Sequence, residues 1–260
     1  YISENQILIL DINQDEVLDV LVKEDDDLFW YQQLDDGTFA DRALWMEREA
    51  SDLTNTSAVS GDIDGDNLPD VVWQSDEQLF LLTSRSAYSS ERAIQAVDIT
   101  KPIALAVADM NGDSRADLVI TEGYNWTGSY RIGYLANSDN GLTNTPQFLN
   151  IAGLDYLNLR PSRLLSDDVD GDGDQDFYVS LTSEACSEIV PEQTGWIENK
   201  GDWQTAQYHA LSNVTAQLVD IDQDGDQDLI DSSGNSPGIS WIENAGNAWD
   251  SLAYQSVDQT

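Results

Sequence analysis

Acidic residues recur along this chain at intervals suited to binding a cation. A nine-residue motif with Asp or Asn at positions 1, 3 and 5 and Asp at position 9 occurs five times. It reads DINQDEVLD from Asp11, DIDGDNLPD from Asp62, DMNGDSRAD from Asp109, DVDGDGDQD from Asp168 and DIDQDGDQD from Asp220. Alternate carboxylates of a tight loop can converge on one point, which suits a hard cation. Calcium takes about six to eight oxygen ligands at roughly 2.3–2.6 Å. The backbone carbonyl at position 7 (Val17, Leu68, Arg115, Asp174, Asp226) adds a ligand. Asp at position 9 can close the site, bidentately if both its oxygens turn inward. Gly or Asn at positions 4 and 6 lets the chain curl with positive φ. Gly65 and Asn67, Gly112, Gly171 and Gly173, and Gly225 stand there, whereas the first loop has Gln14 and Glu16. Up to five calcium ions are expected, the first loop being the poorest candidate. Four clustered carboxylates without a cation would repel one another.

The same Asp-x-Asp-x-Asp opening occurs in EF-hands, which also need Glu at position 12 and flanking helices. Position 12 is Val22, Trp73, Ile120, Val179 and Asp231, so the EF-hand is rejected.

The elements that hold these loops read as strands. The motif starts lie 51, 47, 59 and 52 residues apart. Short apolar stretches precede the loops, such as ILIL and IALAVA, and DVLV, DVVW, DLVI, DFYV or DLI follows. A third segment comes next: LFWYQQ, LFLLTS, IGYLAN, TGWIEN and ISWIEN. Its third residue (Trp30, Leu81, Tyr134, Trp196, Trp241) is large and suited to packing between neighbouring repeats. A weaker fourth strand such as TAQYHAL completes the unit. Strands of four to six residues joined by Gly, Asn and Asp turns carry no helical period. A four-stranded sheet with two apolar faces cannot stand alone, and stacking such sheets around an axis buries both. The expected fold is therefore all-β, a β-propeller of four-stranded blades. Its repeats fall near 5–52, 53–101, 102–160, 161–212 and 213–260. Five blades in one domain over 1–260 are favoured over a segment of a larger propeller.

Composition narrows the function. An apolar share of 40% fits a folded chain. The 49 acidic against 11 basic residues give a net charge of −38, which repels nucleic acid and anionic membranes. Five divalent cations would reduce it only to about −28, and composition leaves open whether a surface suited to a saline habitat accounts for the rest. No apolar run reaches the roughly 20 residues of a membrane span, so no direct membrane insertion is expected. One cysteine, Cys186, excludes an internal disulfide and a CxxC motif; one histidine, His209, removes most His-dependent catalysis. The chain starts at Tyr1 with no visible signal peptide and reads as a mature or excised segment.

The pattern D-x-[DN]-x-D-x-x-x-D-[LV], then a strand, then W-[IY]-E-N-x-G, resembles the FG-GAP/VCBS-type repeats of integrin α-chain propellers and of many secreted bacterial and lectin-like proteins. The resemblance covers nearly the whole chain. It implies a calcium-stabilised propeller in an extracellular or cell-surface protein, within a larger multidomain chain or alone. It carries the ligand role to Asp11, Asn13, Asp15 and Asp19, and to Asp62, Asp64, Asp66 and Asp70. Asp109, Asn111, Asp113 and Asp117 match next, then Asp168, Asp170, Asp172 and Asp176, then Asp220, Asp222, Asp224 and Asp228. Many relatives have seven or eight blades, a departure from the five repeats here.

Up-and-down blades put the Asp loops and the three-to-four turns on one face. The two-to-three loops and the links between blades share the other. Length excursions fall on that second face: 122–129, 182–193 and the link 150–163. They would gather Tyr124, Trp126, Tyr156, Arg160 and Arg163 at one rim as a ligand site. The function expected is adhesion or binding of a glycan or protein ligand. The alternative is a propeller-based polysaccharide lyase or hydrolase, with Glu184 or Glu188 and Tyr124 for acid–base chemistry, or its accessory domain. No spacing favours such a pair, and no nucleophile or phosphate-loop motif is present.

Overall fold

The structure is a computed structural model, and it describes residues 7–24, 27–46, 58–75, 78–84, 91–94, 103–121, 131–154, 159–183, 193–201, 203, 205–211, 216–231, 240–244 and 254–256. Every named regular element among them is a β-strand. The first sheet holds β1 (Ile7–Leu10), β2 (Asp19–Glu24), β3 (Asp27–Tyr31) and β4 (Ala43–Met46). The second holds β5 (Ala58–Gly61), β6 (Asp70–Ser75), β7 (Gln78–Leu82) and β8 (Glu91–Ile94). The third holds β9 (Ile103–Ala108), β10 (Asp117–Thr121), β11 (Ile132–Leu135) and β12 (Gln147–Phe148). The fourth holds β13 (Leu159–Asp167), β14 (Asp176–Ser183), β15 (Gln193–Glu198) and β16 (Gln207–Leu211). The fifth holds β17 (Ala216–Val219), β18 (Asp228–Asp231), β19 (Ser240–Ile242) and β20 (Tyr254–Ser256). Each sheet is an antiparallel meander whose strands lie in chain order. These are the blades of a five-bladed β-propeller, the architecture the repeat pattern predicts.

The chain divides into two compact units, Tyr1–Tyr124 with Gly133–Gln147, and Asn125–Ile132 with Phe148–Thr260. In the first unit, strand alternation sends side chains to opposite faces of each sheet. Register aligns Leu8, Leu21 and Trp30 on one face of the first sheet. That face packs with Val71, Trp73 and Leu82 of the second sheet. The opposite face of the second sheet carries Val72, Leu79 and Leu81, which pack with Leu118, Ile120 and Leu135 of the third. Gly61 sits at this second contact, where an added Cβ would lie 2.5 Å from Val107 Cγ1. The other face of the first sheet differs: Ile7 is 61% and Ile9 63% exposed, and Leu44, on the same face at the far edge, is exposed too.

In the second unit, Val169, Tyr178 and Trp196 form a core with Leu229 and Ile242 of the fifth sheet. Phe177 stacks on Trp203 with ring centroids 4.8 Å apart. The third residue of the aromatic segment is thus an inter-sheet packing residue at Trp30, Leu81 and Trp196. Gly195 lets β16 approach, because a Cβ there would enter the Tyr208 ring and the His209 carbonyl oxygen.

Two expected connections are shorter than the sequence suggests. The link 150–163 ends early, since β13 begins at Leu159. Residues 182, 183 and 193, assigned to a long loop, belong to β14 and β15. Leu159 pairs with Ser183 and Arg160 with Thr182 across an extended hairpin. Both segments are polar enough to read as loop, but backbone pairing continues past their apolar cores.

Candidate metal centre

Each Asp motif joins the first strand of a blade to the second, as expected. Position 1 follows directly on β1, β5, β9, β13 and β17, and position 9 opens β2, β6, β10, β14 and β18. The last residue of the first strand pairs with position 9 in all five blades: Leu10↔Asp19, Gly61↔Asp70, Ala108↔Asp117, Asp167↔Asp176 and Val219↔Asp228. The sheet register therefore clamps the base of every loop at the same point.

Between the clamps the backbone turns by one recipe. Positions 4 and 6 have positive φ in every loop. They are Gln14 and Glu16, Gly65 and Asn67, Gly112 and Ser114, Gly171 and Gly173, and Gln223 and Gly225. Glycine takes this region freely, whereas a residue with a Cβ is strained there. The first loop meets the requirement with no glycine at all.

Position 1 organises the turn through backbone N–H groups. Asp62 Oδ1 accepts from Gly65 (2.7 Å) and Asp66 (3.1 Å), and its Oδ2 accepts from Asn67 (2.8 Å). Asp11 and Asp109 accept in the same manner from their own loops. In the fourth and fifth loops Oδ2 of Asp168 and Asp220 accepts from Gly173 and Gly225. Their Oδ1 atoms are buried and have no hydrogen-bond partner. A buried carboxylate oxygen without a donor is costly and calls for a cation or an equivalent partner.

Three of the loops bring three carboxylates within 4.8 Å of one another. The sets are Asp62, Asp64 and Asp66; Asp168, Asp170 and Asp176; and Asp220, Asp222 and Asp228. Each could hold a metal ion. In the first loop Asn13 instead turns its amide to Asp15 Oδ2 at 2.8 Å, and in the third Asn111 Oδ1 accepts from Asp113 N–H at 2.9 Å. Position 5 keeps Oδ1 on the N–H of position 7 in every loop, for instance Asp172 with Asp174 at 3.0 Å.

Position 9 has a second task that the motif alone does not reveal. Asp19, Asp70, Asp117, Asp176 and Asp228 are fully buried. Oδ2 of each accepts the N–H of position 2: Ile12, Ile63, Met110, Val169 and Ile221. Oδ1 of each accepts the N–H of a residue after the third strand: Gln33, Ser84, Asn137, Asn199 and Asn244. Both oxygens are engaged by the fold, so any metal bond uses a remaining lone pair. The same bonds put the turn after the third strand beside the loop, on the face expected for it. The quoted W-[IY]-E-N pattern contains two of these residues, Asn199 and Asn244, yet spacing gives no hint that their N–H groups complete the loop.

The electrostatics show what clustering costs. Burial pushes the Asp176 carboxyl up to about 7, and the negative charges of Asp170 and Asp174 push the same way. Asp117 rises to about 6 by burial, with Asp113 and Asp109 adding repulsion. Asp70, Asp170, Asp174 and Asp222 are raised by the same two causes. The fit between these residues and a hard divalent cation rests on three features: all-oxygen donors, the buried Oδ1 atoms of Asp168 and Asp220, and mutual repulsion that a cation relieves.

The loop geometry agrees with what the sequence matches. Residues 11–73 and 62–120 match the model of the FG-GAP-like repeat. Residues 11–120 thus carry FG-GAP-like repeats. The fourth and fifth Asp loops, beyond the matched span, share the register clamp and the position-9 bonds of the first three. No curated protein matches the chain. Among solved structures, a lectin of Agrocybe aegerita that recognises non-reducing terminal N-acetylglucosamine is similar, with 13% identity and a TM-score of 0.55. The match covers 98% of this chain and 80% of the lectin. The Tc holotoxin pore of Photorhabdus luminescens is similar at 17% identity and a TM-score of 0.51, over 98% of this chain and 12% of the toxin chain. At these identities the likeness is one of fold.

Of the expected ligand rim, Tyr124, Trp126 and Tyr156 lie outside the described residues, as do Glu184 and Glu188. Arg160 and Arg163 stand on β13, opposite Thr182 and Ser180, and not in a link between blades.

Proposed function

We propose that this chain is a calcium-stabilised binding module that recognises a glycan or protein ligand outside the cell. The observation that carries the calcium reading is the pair of buried, unpartnered Oδ1 atoms of Asp168 and Asp220, each within a three-carboxylate cluster. Bound calcium would supply positive charge that neutralises carboxylates otherwise forced together. Asp168, Asp170 and Asp176 would hold one ion, and Asp220, Asp222 and Asp228 another. Asp62, Asp64 and Asp66 form a third set. The first and third loops would use Asp11, Asn13, Asp15 and Asp19, and Asp109, Asn111, Asp113 and Asp117. The carbonyls of Val17, Leu68, Arg115, Asp174 and Asp226 would add one ligand each.

The binding role draws support from the propeller fold and its likeness to a lectin, and the extracellular setting from the calcium requirement. Millimolar calcium outside cells would keep such sites filled. A glycan array read with calcium and with chelator, alongside an assay for polysaccharide cleavage, tests the reading. Calcium-dependent retention without cleavage is expected. Cleavage would replace binding with catalysis. Glycan silence, together with failure to retain any protein from an extracellular protein library, would remove the binding role.

A further inference from the structure

The Asp loops are not isolated from one another. Asn137 follows the third strand of the third blade and is buried. Its backbone N–H donates to Asp117 Oδ1, the position-9 carboxylate of its own loop, at 2.6 Å. Its side-chain Nδ2 donates to the carbonyl oxygen of Ile63 at 2.6 Å. Ile63 is position 2 of the neighbouring loop, between Asp62 and Asp64. The Ile63 N–H in turn donates to Asp70 Oδ2, the position-9 carboxylate of that loop, at 2.9 Å. One asparagine thus ties the closing carboxylate of the third loop to the peptide that spaces the first two carboxylates of the second.

The arrangement recurs in the other unit. Asn244 donates its N–H to Asp228 Oδ1 at 2.9 Å and its Nδ2 to the Val169 carbonyl oxygen at 2.8 Å. Val169 is position 2 of the fourth loop, and its N–H donates to Asp176 Oδ2 at 3.1 Å. Asn244 is also buried. The second blade has Ser84 at this place. Its N–H reaches Asp70, its hydroxyl bonds Asp66 of its own loop, and its carbonyl accepts from Gln14 Nε2 of the first loop at 3.3 Å.

We infer that Asn137 and Asn244 are positioning residues that couple calcium binding at adjacent loops, the second to the third and the fourth to the fifth. The inference rests on the calcium reading above. A cation ordering the third loop fixes Asp117, hence Asn137, hence the Ile63 peptide. The second loop then has less conformational freedom to lose when its own cation arrives, which is positive cooperativity. Linkage makes the effect reciprocal, and couplings between sites typically change affinity about 5- to 150-fold.

The test is hydrogen–deuterium exchange of the full chain across a calcium titration, read separately on peptides spanning 62–70, 109–117 and 220–228. In the wild-type background, Asp113→Ala should raise the calcium concentration that half-protects 62–70 by about fivefold or more. Asp64→Ala should move 109–117 by the same factor. The fifth-loop peptide should stay put in both. Asn137→Ala keeps its backbone bond to Asp117 and loses the inter-loop amide bond to Ile63, together with two local bonds, from Nδ2 to the Ala116 carbonyl and from the Ser138 N–H to Oδ1. In that background Asp113→Ala should leave the second-loop midpoint unchanged. If Asn137→Ala fails to fold, the Asp113→Ala and Asp64→Ala pair still decides by reciprocity. Calcium protection of both loops with independent midpoints would overturn the coupling and leave the calcium reading standing. No calcium-dependent protection at any loop would overturn both.

Discussion

The loops from Asp11 and from Asp168 are built on the same backbone and filled differently. Both are clamped by the same strand register, and both have positive φ at positions 4 and 6. The fourth loop places Gly171 and Gly173 there and offers aspartate at all of positions 1, 3, 5 and 9, with Asp168 Oδ1 buried and without a hydrogen-bond partner. The first loop forces Gln14 and Glu16 into the left-handed region, and its Asn13 turns an amide donor to Asp15. The blades differ in the same sense. The fourth sheet buries Tyr178 and Trp196 in a core with the fifth, whereas Ile7, Ile9 and Leu44 of the first sheet are exposed. A loop fold can thus persist where its carboxylate set is smaller, because strand register and the hydrogen bonds of positions 1 and 9 hold it, here with added bonds from Asn13 and Gln14.

The comparison breaks most visibly on removal of metal. Chelation should lower the melting temperature sharply, and calcium should restore it better than magnesium. Each site filled at a hundredfold excess over Kd adds about 2.7 kcal/mol. Exchange protection should fall furthest in the fourth and fifth loops and least in the first. A melting curve indifferent to chelator removes calcium from the account.

Next in size is packing around Gly195. Gly195→Ala drives a methyl into the Tyr208 ring and the His209 carbonyl, and should cost about 2 kcal/mol by denaturant unfolding. Gly37→Ala, in the turn of the first blade, meets open space and pays only for its φ of 79°, about 1 kcal/mol. Equal losses would mean that β16 shifts to accommodate the methyl.

Ligand completeness separates the loops further. Asp170→Ala should reduce calcium-dependent stabilisation by about 2 kcal/mol and Asn13→Ala by well under half of that. Calorimetric titration of the two variants checks the order. If they lose the same amount, the carboxylate count does not rank the loops.

The smallest effect tests backbone strain alone. Glu16→Gly should relieve the left-handed penalty and raise stability by up to about 1 kcal/mol, less the entropy that glycine adds to the unfolded chain. Gly173→Ala should lower it by a similar amount. Thermal melts in calcium, with both variants side by side, read the difference.

Residue types and spacing alone determined the strand–loop–strand unit, its five copies and the blade architecture. The reason is that a period of two, apolar faces and Asp-rich turns are local properties, and five copies at a near-constant interval leave few ways to bury those faces. The positive φ at Gly65, Gly112, Gly171, Gly173 and Gly225 was legible for the same reason. Its occurrence at Gln14, Glu16, Ser114 and Gln223 was not, because there the tertiary clamp imposes a backbone that the residue disfavours. The two bonds of every position-9 carboxylate, the continuation of β13 and β14 past their apolar runs, and the reach of Asn137 and Asn244 into neighbouring loops belong to tertiary structure. The separations range upward from seven residues, as from Asp70 to Ile63, and include 74, as from Asn137 to Ile63. Which backbone carbonyl an amide meets at that range is settled only when the sheets stack.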